Sequence, residues 1–141
     1  MEGLNDRRRC PRFPVLAPVE YNYDYNKPKE PSRTLNISEA GALISTRGFI
    51  GRGSNLTLGI FLKSGYSTLR SRVTYIEKQA RGDGYRAGLQ FMEPSKDYIN
   101  NFRREIDELE LFKIRCSREA GREVPLSEAS ARYYEHAPSL M

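Results

Sequence analysis

The chain has 141 residues, of which 38% are hydrophobic and 29% are charged, and its mean hydropathy is -0.66. This composition indicates a soluble protein with one domain, and it excludes an integral membrane protein, because no apolar run is long enough to span a bilayer. The formal net charge of +5 favours anionic partners such as nucleotides, nucleic acids or acidic lipids.

Cysteine and histidine are too sparse for a metal centre or a disulfide framework. The two cysteines, Cys10 and Cys116, lie far apart without metal-ligand spacing, and we expect both to be reduced thiols. The single histidine, His136, has no evident nucleophile or carboxylate partner, and no phosphate-binding loop or catalytic motif occurs. Because the N-terminus also lacks an apolar leader segment, we expect a cytoplasmic protein that is not an enzyme and has no metal or cofactor.

Alternation of apolar and polar residues predicts six β-strands between residues 13 and 92. The first strand starts at Phe13, and we expect its apolar residues to fill the core. These residues are Val15, Ala17, Val19, Tyr21, Tyr23 and Tyr25. The other strands are predicted over 32–37, 42–46, 56–63, 66–77 and 85–92. Short strands with tight turns indicate a mainly β protein with a closed antiparallel barrel.

An amphipathic helix is predicted after the last strand, with Ser95 as its N-cap. Its apolar residues recur at spacings of three and four, at Ile99, Phe102, Ile106, Leu109 and Phe112. The opposite face carries charged pairs at four-residue spacing, Arg103–Asp107 and Arg104–Glu108. We expect the apolar stripe to pack across an open end of the barrel and the charged face to be solvated.

Three segments follow from these patterns. Residues 1–12 are polar and basic without periodicity, and we expect a flexible arm. Residues 13–115 hold the barrel and the helix. Residues 116–141 form a C-terminal tail, in which a short helix over 127–134 fits the pattern as well as partial disorder does.

Two short motifs carry the functional signal. The first is the arginine cluster Arg7-Arg8-Arg9-Cys10-Pro11-Arg12, and the second is the polar turn Asn36-Ile37-Ser38-Glu39-Ala40-Gly41. Arg8-x-x-x-Arg12 matches RxxxR, and Asn36-x-Ser38-x-x-Gly41 matches [D/N]xSxxG. In this order and at this distance the two motifs resemble the ligand-binding motifs of PilZ domains, which are bacterial receptors for cyclic di-GMP. The resemblance covers about residues 6–115 and includes the G-x-x-F ending Gly88-Leu89-Gln90-Phe91.

The resemblance implies a six-stranded antiparallel β-barrel of PilZ type with a C-terminal α-helix packed on it. It also implies a cyclic di-GMP site, whose candidate residues are Arg7, Arg8, Arg9, Arg12, Asn36, Ser38 and Gly41. Some family members stack an aromatic residue of the fifth strand on a guanine, and Tyr75 is the candidate here by position. Its alternation with Leu69, Ser71 and Val73 also fits packing in the core or at its rim. Members with an extra arginine directly before RxxxR can bind two intercalated ligand molecules, and Arg7 holds that place, so the resemblance fits either one molecule or an intercalated pair.

The residue types suit this ligand, which presents two phosphates and two guanines. Arginine pairs with phosphate oxygens, reads the guanine edge and stacks on purine planes. Asn36 can bond a base edge, Ser38 offers a hydroxyl to a phosphate or base, and Gly41 permits close backbone approach. We expect weaker base recognition from the neutral Asn36 than from an aspartate, because an aspartate accepts with charge assistance.

Three functions remain open from the sequence. The leading one is a receptor whose arginine arm orders on the ligand and which signals in trans to an unidentified partner in motility, pili, exopolysaccharide or biofilm control. The second is a PilZ-fold adaptor that binds a protein but no nucleotide. The third is single-stranded nucleic-acid binding, which requires exposed aromatic side chains beside a basic track on one sheet face.

Overall fold

The computed structural model of the chain describes residues 10–23 and 28–136. Six strands form a closed barrel in the order β1-β2-β3-β6-β5-β4. All neighbouring strands are antiparallel. They are β1 (Pro18–Asn22), β2 (Glu30–Ile37), β3 (Gly41–Thr46), β4 (Asn55–Leu62), β5 (Gly65–Lys78) and β6 (Tyr85–Phe91). The predicted six-stranded antiparallel barrel is therefore confirmed.

The first strand is shorter than the prediction, which extends it from Phe13 to Tyr25. Phe13 pairs with Ile37 through two backbone hydrogen bonds of 2.9 and 3.0 Å, but regular pairing resumes only at β1. Between them the Thr34 hydroxyl accepts from the Ala17 amide at 2.9 Å and donates to the Val15 carbonyl at 2.6 Å. A side chain thus replaces part of the backbone ladder.

Burial along this segment follows the predicted alternation up to Tyr21 and then departs from it. Val15, Ala17, Val19 and Tyr21 are buried, as expected from their odd positions. Tyr23, which the pattern places in the core, is 43% exposed because it lies just beyond the end of β1. Tyr25 lies outside the described residues.

Two helices follow the barrel, α1 (Lys96–Ala120) and α2 (Leu126–Tyr133), and a short 3-10 turn (Tyr134–His136) comes after them. Ser95 caps α1 as predicted, since its hydroxyl accepts from the Tyr98 amide at 3.1 Å. The helix ends at Ala120, and the next residue, Gly121, has a φ of 68°, the left-handed conformation that favours glycine. It therefore extends beyond residue 115, where a tail is expected to begin.

Helix α1 lies across the end of the barrel where β2 passes into β3 and β4 passes into β5. The Tyr98 hydroxyl donates to the Ser38 carbonyl at 2.7 Å, and the Ser64 hydroxyl donates to the Asn101 carbonyl at 2.8 Å. The helix adds Tyr98, Phe102 and Leu109 to the core of the barrel. Within residues 10–23 and 28–136, no helix combines the length and apolar character needed to cross a membrane.

A buried carboxylate joins α1 to the rest of the fold. Glu105 is only 1% exposed, and its oxygens accept from the backbone amides of Lys63 at 2.8 Å and Ser64 at 3.0 Å. The Tyr134 hydroxyl donates to the same carboxylate at 2.7 Å. Glu105 thereby links the β4–β5 turn, the helix and the C-terminal segment. Apolar spacing does not predict that Glu105 is buried, because the residue is charged.

We expect Glu105→Ala to destabilise the protein by about 3 kcal/mol or more, because it leaves three donors without their acceptor. Urea unfolding monitored by circular dichroism measures this loss. Glu110→Ala is the matched control, since Glu110 is exposed on the same helix and should change the unfolding free energy by less than about 0.5 kcal/mol. Equal stability of the two variants would contradict the proposed link.

Candidate functional site

The turn of residues 38–40, between β2 and β3, is shaped by the side chain of Ser38. The Ser38 hydroxyl accepts from the amides of Ala40 at 3.1 Å and Gly41 at 3.0 Å, and the Ser38 amide donates to the Gly41 carbonyl at 2.8 Å. Ser38 is only 3% exposed. The hydroxyl is thus used by the turn itself, whereas the sequence prediction directs it to a phosphate or a base.

Gly41 allows two backbones to approach closely. A Cβ at this position would overlap the carbonyl oxygen of Leu89 in β6. Gly41 pairs with Gln90 in the same strand, so the contact lies within the sheet. The close approach that the sequence predicts at Gly41 is therefore to β6, and it fixes the turn against the barrel.

Helix α1 holds the same turn from outside through two contacts. The first is the hydrogen bond from Tyr98 to the Ser38 carbonyl, and burial raises the pKa of the Tyr98 hydroxyl far above its ordinary value. The second is a bidentate ion pair in which Arg103 donates to Glu39 at 2.6 and 3.2 Å. The bond to Glu39 also raises the pKa of Arg103. Arg103 thus bonds Glu39, and not Asp107 as its spacing predicts.

Asn36 carries a buried polar atom without a partner. Its Oδ1 is the one buried side-chain nitrogen or oxygen in the described part of the chain that has no hydrogen bond. A β-bulge between Thr34 and Asn36 is the reason for its position, because Thr34 and Ile37 both face the core. Without the bulge, strict alternation would turn Asn36 inward with Thr34. The Asn36 side chain is therefore turned to the outer side of the sheet, where neighbouring groups cover its Oδ1.

Tyr75 lies on the same outer side, also because of a bulge. Val73 is buried and Ile76 packs on the core, while Tyr75 is 46% exposed after a register shift between Val73 and Tyr75. The alternation of the sequence predicts the opposite, since it places Tyr75 on the face of Val73. The Tyr75 hydroxyl donates to Glu77, and its side chain lies against Gly88.

The strand register places Asn36 and Tyr75 in one row across the barrel. Asn36 pairs with Leu43, Leu43 with Gly88, and Gly88 with Tyr75. Three steps between neighbouring strands separate their Cα atoms by about 14 Å. Because Gly88 has no side chain, the row contains a gap between Leu43 and Tyr75 that the tyrosine ring partly covers.

The arm reaches this surface through Arg12. Phe13 pairs with Ile37 in antiparallel register, so the preceding Arg12 lies opposite Ser38. Arg12 is exposed. Next to it, a cavity of about 320 Å³ lies between the base of the arm, the turn and α1, and its lining includes Pro11, Glu39 and Arg103. The other candidate arginines, Arg7, Arg8 and Arg9, lie outside the described residues.

Together these elements form an outer-surface site with a cation, a free carbonyl acceptor and an aromatic ring. Such a set suits a ligand with an anionic group and a base. Among residues 10–23 and 28–136, no group of three or more acidic, histidine or cysteine side chains could hold a metal ion. The sequence alone misses Glu39, Tyr98 and Arg103 as supporting residues, although Glu39 lies inside the second motif.

Comparisons with known proteins agree with this fold. The family model described as PilZ domain matches residues 6–108. Among solved structures, the PilZ domain of Escherichia coli YcgR with c-di-GMP superposes with a TM-score of 0.63 at 15% identity, covering 82% of this chain and 98% of that one. A longer structure, YcgR in complex with c-di-GMP from Escherichia coli, gives a TM-score of 0.62 at 17% identity, covering 82% of this chain and 49% of that one.

The Bacillus subtilis inhibitor of motility MotI/DgrA superposes with a TM-score of 0.60 at 17% identity, covering 72% of this chain and 52% of that one. The present chain thus spans about half the length of MotI/DgrA and of the longer YcgR structure. A comparison with curated proteins finds no match. The structural likeness supports the fold, and the expected PilZ resemblance is confirmed.

We expect Gly41→Ala to lower the unfolding free energy by about 1–3 kcal/mol, because the added Cβ forces β3 away from the Leu89 carbonyl. Gly48→Ala is the control, since a Cβ there meets nothing within 4 Å. Guanidinium unfolding of both variants measures the difference. If Gly41→Ala is as stable as Gly48→Ala, the close approach does not constrain the turn.

Stability should fall as the pH rises above about 10, the pKa of an unperturbed tyrosine. Burial raises the pKa of Tyr98 and Tyr134, and it raises that of Tyr133 to about 12. In this pH range the unfolded chain releases the tyrosine protons first, so alkali favours unfolding. Urea unfolding between pH 8 and pH 11 measures the decline, which Tyr98→Phe should make shallower. Tyr66→Phe, which alters a ring that is 49% exposed, should leave it unchanged.

Proposed function

The chain belongs to the PilZ domain family, whose family model matches residues 6–108, and on that premise we propose that it is a receptor for cyclic di-GMP. The ligand is bound on the outer face of the barrel, between the arginine arm and the row from Asn36 to Tyr75. The role is binding, without catalysis. The observation that supports this most directly is the buried Oδ1 of Asn36, which lacks a partner at the signature motif.

Each part of the site suits one part of the ligand. The Oδ1 of Asn36 can accept a hydrogen bond from the N–H groups of a guanine edge, which would give this buried atom its missing partner. The exposed ring of Tyr75 offers a stacking surface for a purine. Arg12 and the arginines before it neutralise phosphate charge and can pair with guanine.

The roles of Ser38 and Gly41 in this proposal are supporting ones. Ser38 closes the turn with its own hydroxyl, and Gly41 allows that turn to lie against β6. Both residues hold Asn36 in place for a base. This assignment explains why a serine and a glycine accompany the recognition residue in the motif, although the Ser38 hydroxyl is bonded within the turn and Gly41 has no side chain.

We further propose that the bound ligand draws the arginine arm onto the barrel and that the liganded form acts on a partner protein in the cytoplasm. Arg12 lies opposite Ser38, so the arm enters directly beside the turn. Four residues of extended chain cover at most about 13 Å, which lets Arg8 and Arg12 contact opposite sides of one dinucleotide. Slower trypsin cleavage after Arg7, Arg8 and Arg9 on adding cyclic di-GMP measures this step.

Calorimetric titration with cyclic di-GMP tests the receptor function. We expect micromolar or tighter binding by the wild type, and a loss of roughly 30- to 100-fold in Arg12→Ala, because charge-assisted contacts disappear. Arg81→Ala, an exposed arginine on the β5–β6 turn at the other end of the barrel, should bind like the wild type. GTP is the ligand control.

The absence of binding by calorimetry and by a second method would overturn the receptor function and favour the adaptor that binds no nucleotide. Single-stranded nucleic acid remains a second candidate, since β5 exposes Tyr66, Arg70, Arg72 and Tyr75. A 12-nucleotide oligomer titrated between 50 and 300 mM salt is the direct comparison. Binding of the oligomer that falls steeply with salt and is not displaced by cyclic di-GMP would favour this alternative.

A further inference from the structure

We propose that Arg72 is an additional ligand-binding residue of this site, where it contacts an anionic group of the nucleotide from the barrel side. The inference rests on the proposed function, and it names a residue outside both sequence motifs. Its basis is the register of the sheet. Arg72 pairs with Gln90 of β6, and Gln90 pairs with Gly41 at the end of the signature turn.

The register places Arg72 close to the site. Two steps between neighbouring strands separate the Cα atoms of Arg72 and Gly41 by about 10 Å. An arginine side chain extends far enough to cover most of that distance. The row between them, Ala42, Leu89 and Val73, is buried, so on the outer face the row of Arg72 is next to the row from Asn36 to Tyr75. One ligand of dinucleotide size could contact both rows.

The side chain of Arg72 lies on the outer face. Residues Leu69, Ser71 and Val73 of β5 are buried, while Arg72 is exposed between Ser71 and Val73. The bulge before Tyr75 then turns the tyrosine to this same face. Arg72 and Tyr75 therefore point to the same side of the barrel, although in a regular strand residues three positions apart lie on opposite faces.

Arg72 is available for an external anion. Within residues 10–23 and 28–136, it forms neither an ion pair nor a hydrogen bond with another side chain. Two other nearby arginines are paired, Arg86 with Glu77 at 3.3 Å and Arg103 with Glu39 at 2.6 Å. A planar guanidinium without a carboxylate partner is suited to a bidentate contact with a phosphate.

The position also complements the arm. Arg12 approaches the turn from the side of β2, whereas Arg72 lies on the other side, beyond β3 and β6. A ligand with two phosphates needs positive charge on both sides. Arg72 belongs to a strand paired on both edges, so it presents this charge whether or not the arm is in place.

The test is calorimetric titration of the full chain with cyclic di-GMP for wild type, Arg72→Ala, Arg72→Lys and Arg70→Ala. Arg70 is the matched control, because it is exposed on the same strand and face but pairs with Thr57, about 7 Å farther along the strand. We expect Arg72→Ala to bind about tenfold more weakly or worse. Arg72→Lys should recover part of the loss, and Arg70→Ala should change affinity less than twofold.

Thermal unfolding of each variant without ligand should match the wild type, since both arginines are exposed. Wild-type affinity in Arg72→Ala, together with the loss expected in Arg12→Ala, would overturn the role of Arg72 and leave the receptor function standing. Equal losses in Arg70→Ala and Arg72→Ala would indicate general electrostatic attraction and also overturn it. If the wild type does not bind cyclic di-GMP at all, the receptor function fails first and this assignment fails with it.

Discussion

The hydrogen bond from the Tyr98 hydroxyl to the Ser38 carbonyl is the contact that ties helix to barrel at the candidate site. It is 2.7 Å long and fully buried, so neither partner has water as an alternative. The carbonyl it uses belongs to the turn that Ser38 and Gly41 shape. This bond couples the position of α1 over the barrel to the shape of the turn, beside the contacts that Glu105 makes with the β4–β5 turn.

The candidate residues lie partly on the barrel and partly at the base of the arm. The turn and the row from Asn36 to Tyr75 belong to the barrel, while Arg12 marks the point where the arm enters. Arg103 and Glu39 join the turn to α1 beside the same entry point, at a cavity of about 320 Å³. The base of the arm therefore lies beside both the turn and α1.

Two β-bulges define the chemistry of the outer face. Each interrupts a ladder, and each turns a side chain outward that alternation assigns to the core, Asn36 in β2 and Tyr75 in β5. The side-chain oxygen Oδ1 of Asn36 remains buried without a partner, which lowers the stability of the folded protein by about 1–3 kcal/mol. Bulges and buried polar atoms without partners lower stability, and they are expected mainly at surfaces that bind a ligand.

The sequence by itself determined the barrel, its C-terminal helix and the family, because strand alternation, helical spacing and two motifs are properties of neighbouring residues. Alternation predicts the burial of Val15, Ala17 and Val19, and apolar spacing predicts that of Phe102 and Leu109 in α1 but misses that of Tyr98. It does not predict where regular pairing begins, since Thr34 replaces ladder bonds with its hydroxyl.

Only the tertiary structure decided which faces and partners the candidate residues have. A period-2 pattern has no signal for a bulge, so it assigns Tyr75 to the core when the bulge turns it outward. The same pattern does not predict how distant strands pair. The register of this pairing places Asn36 in one row with Tyr75, and Gly41 in one row with Arg72. The contacts of Glu105 and the Arg103–Glu39 pair could not be predicted from the sequence for the same reason: the partners of Glu105 are at least 29 residues away, and Glu39 is 64 residues from Arg103. Those contacts exist only after the barrel has closed.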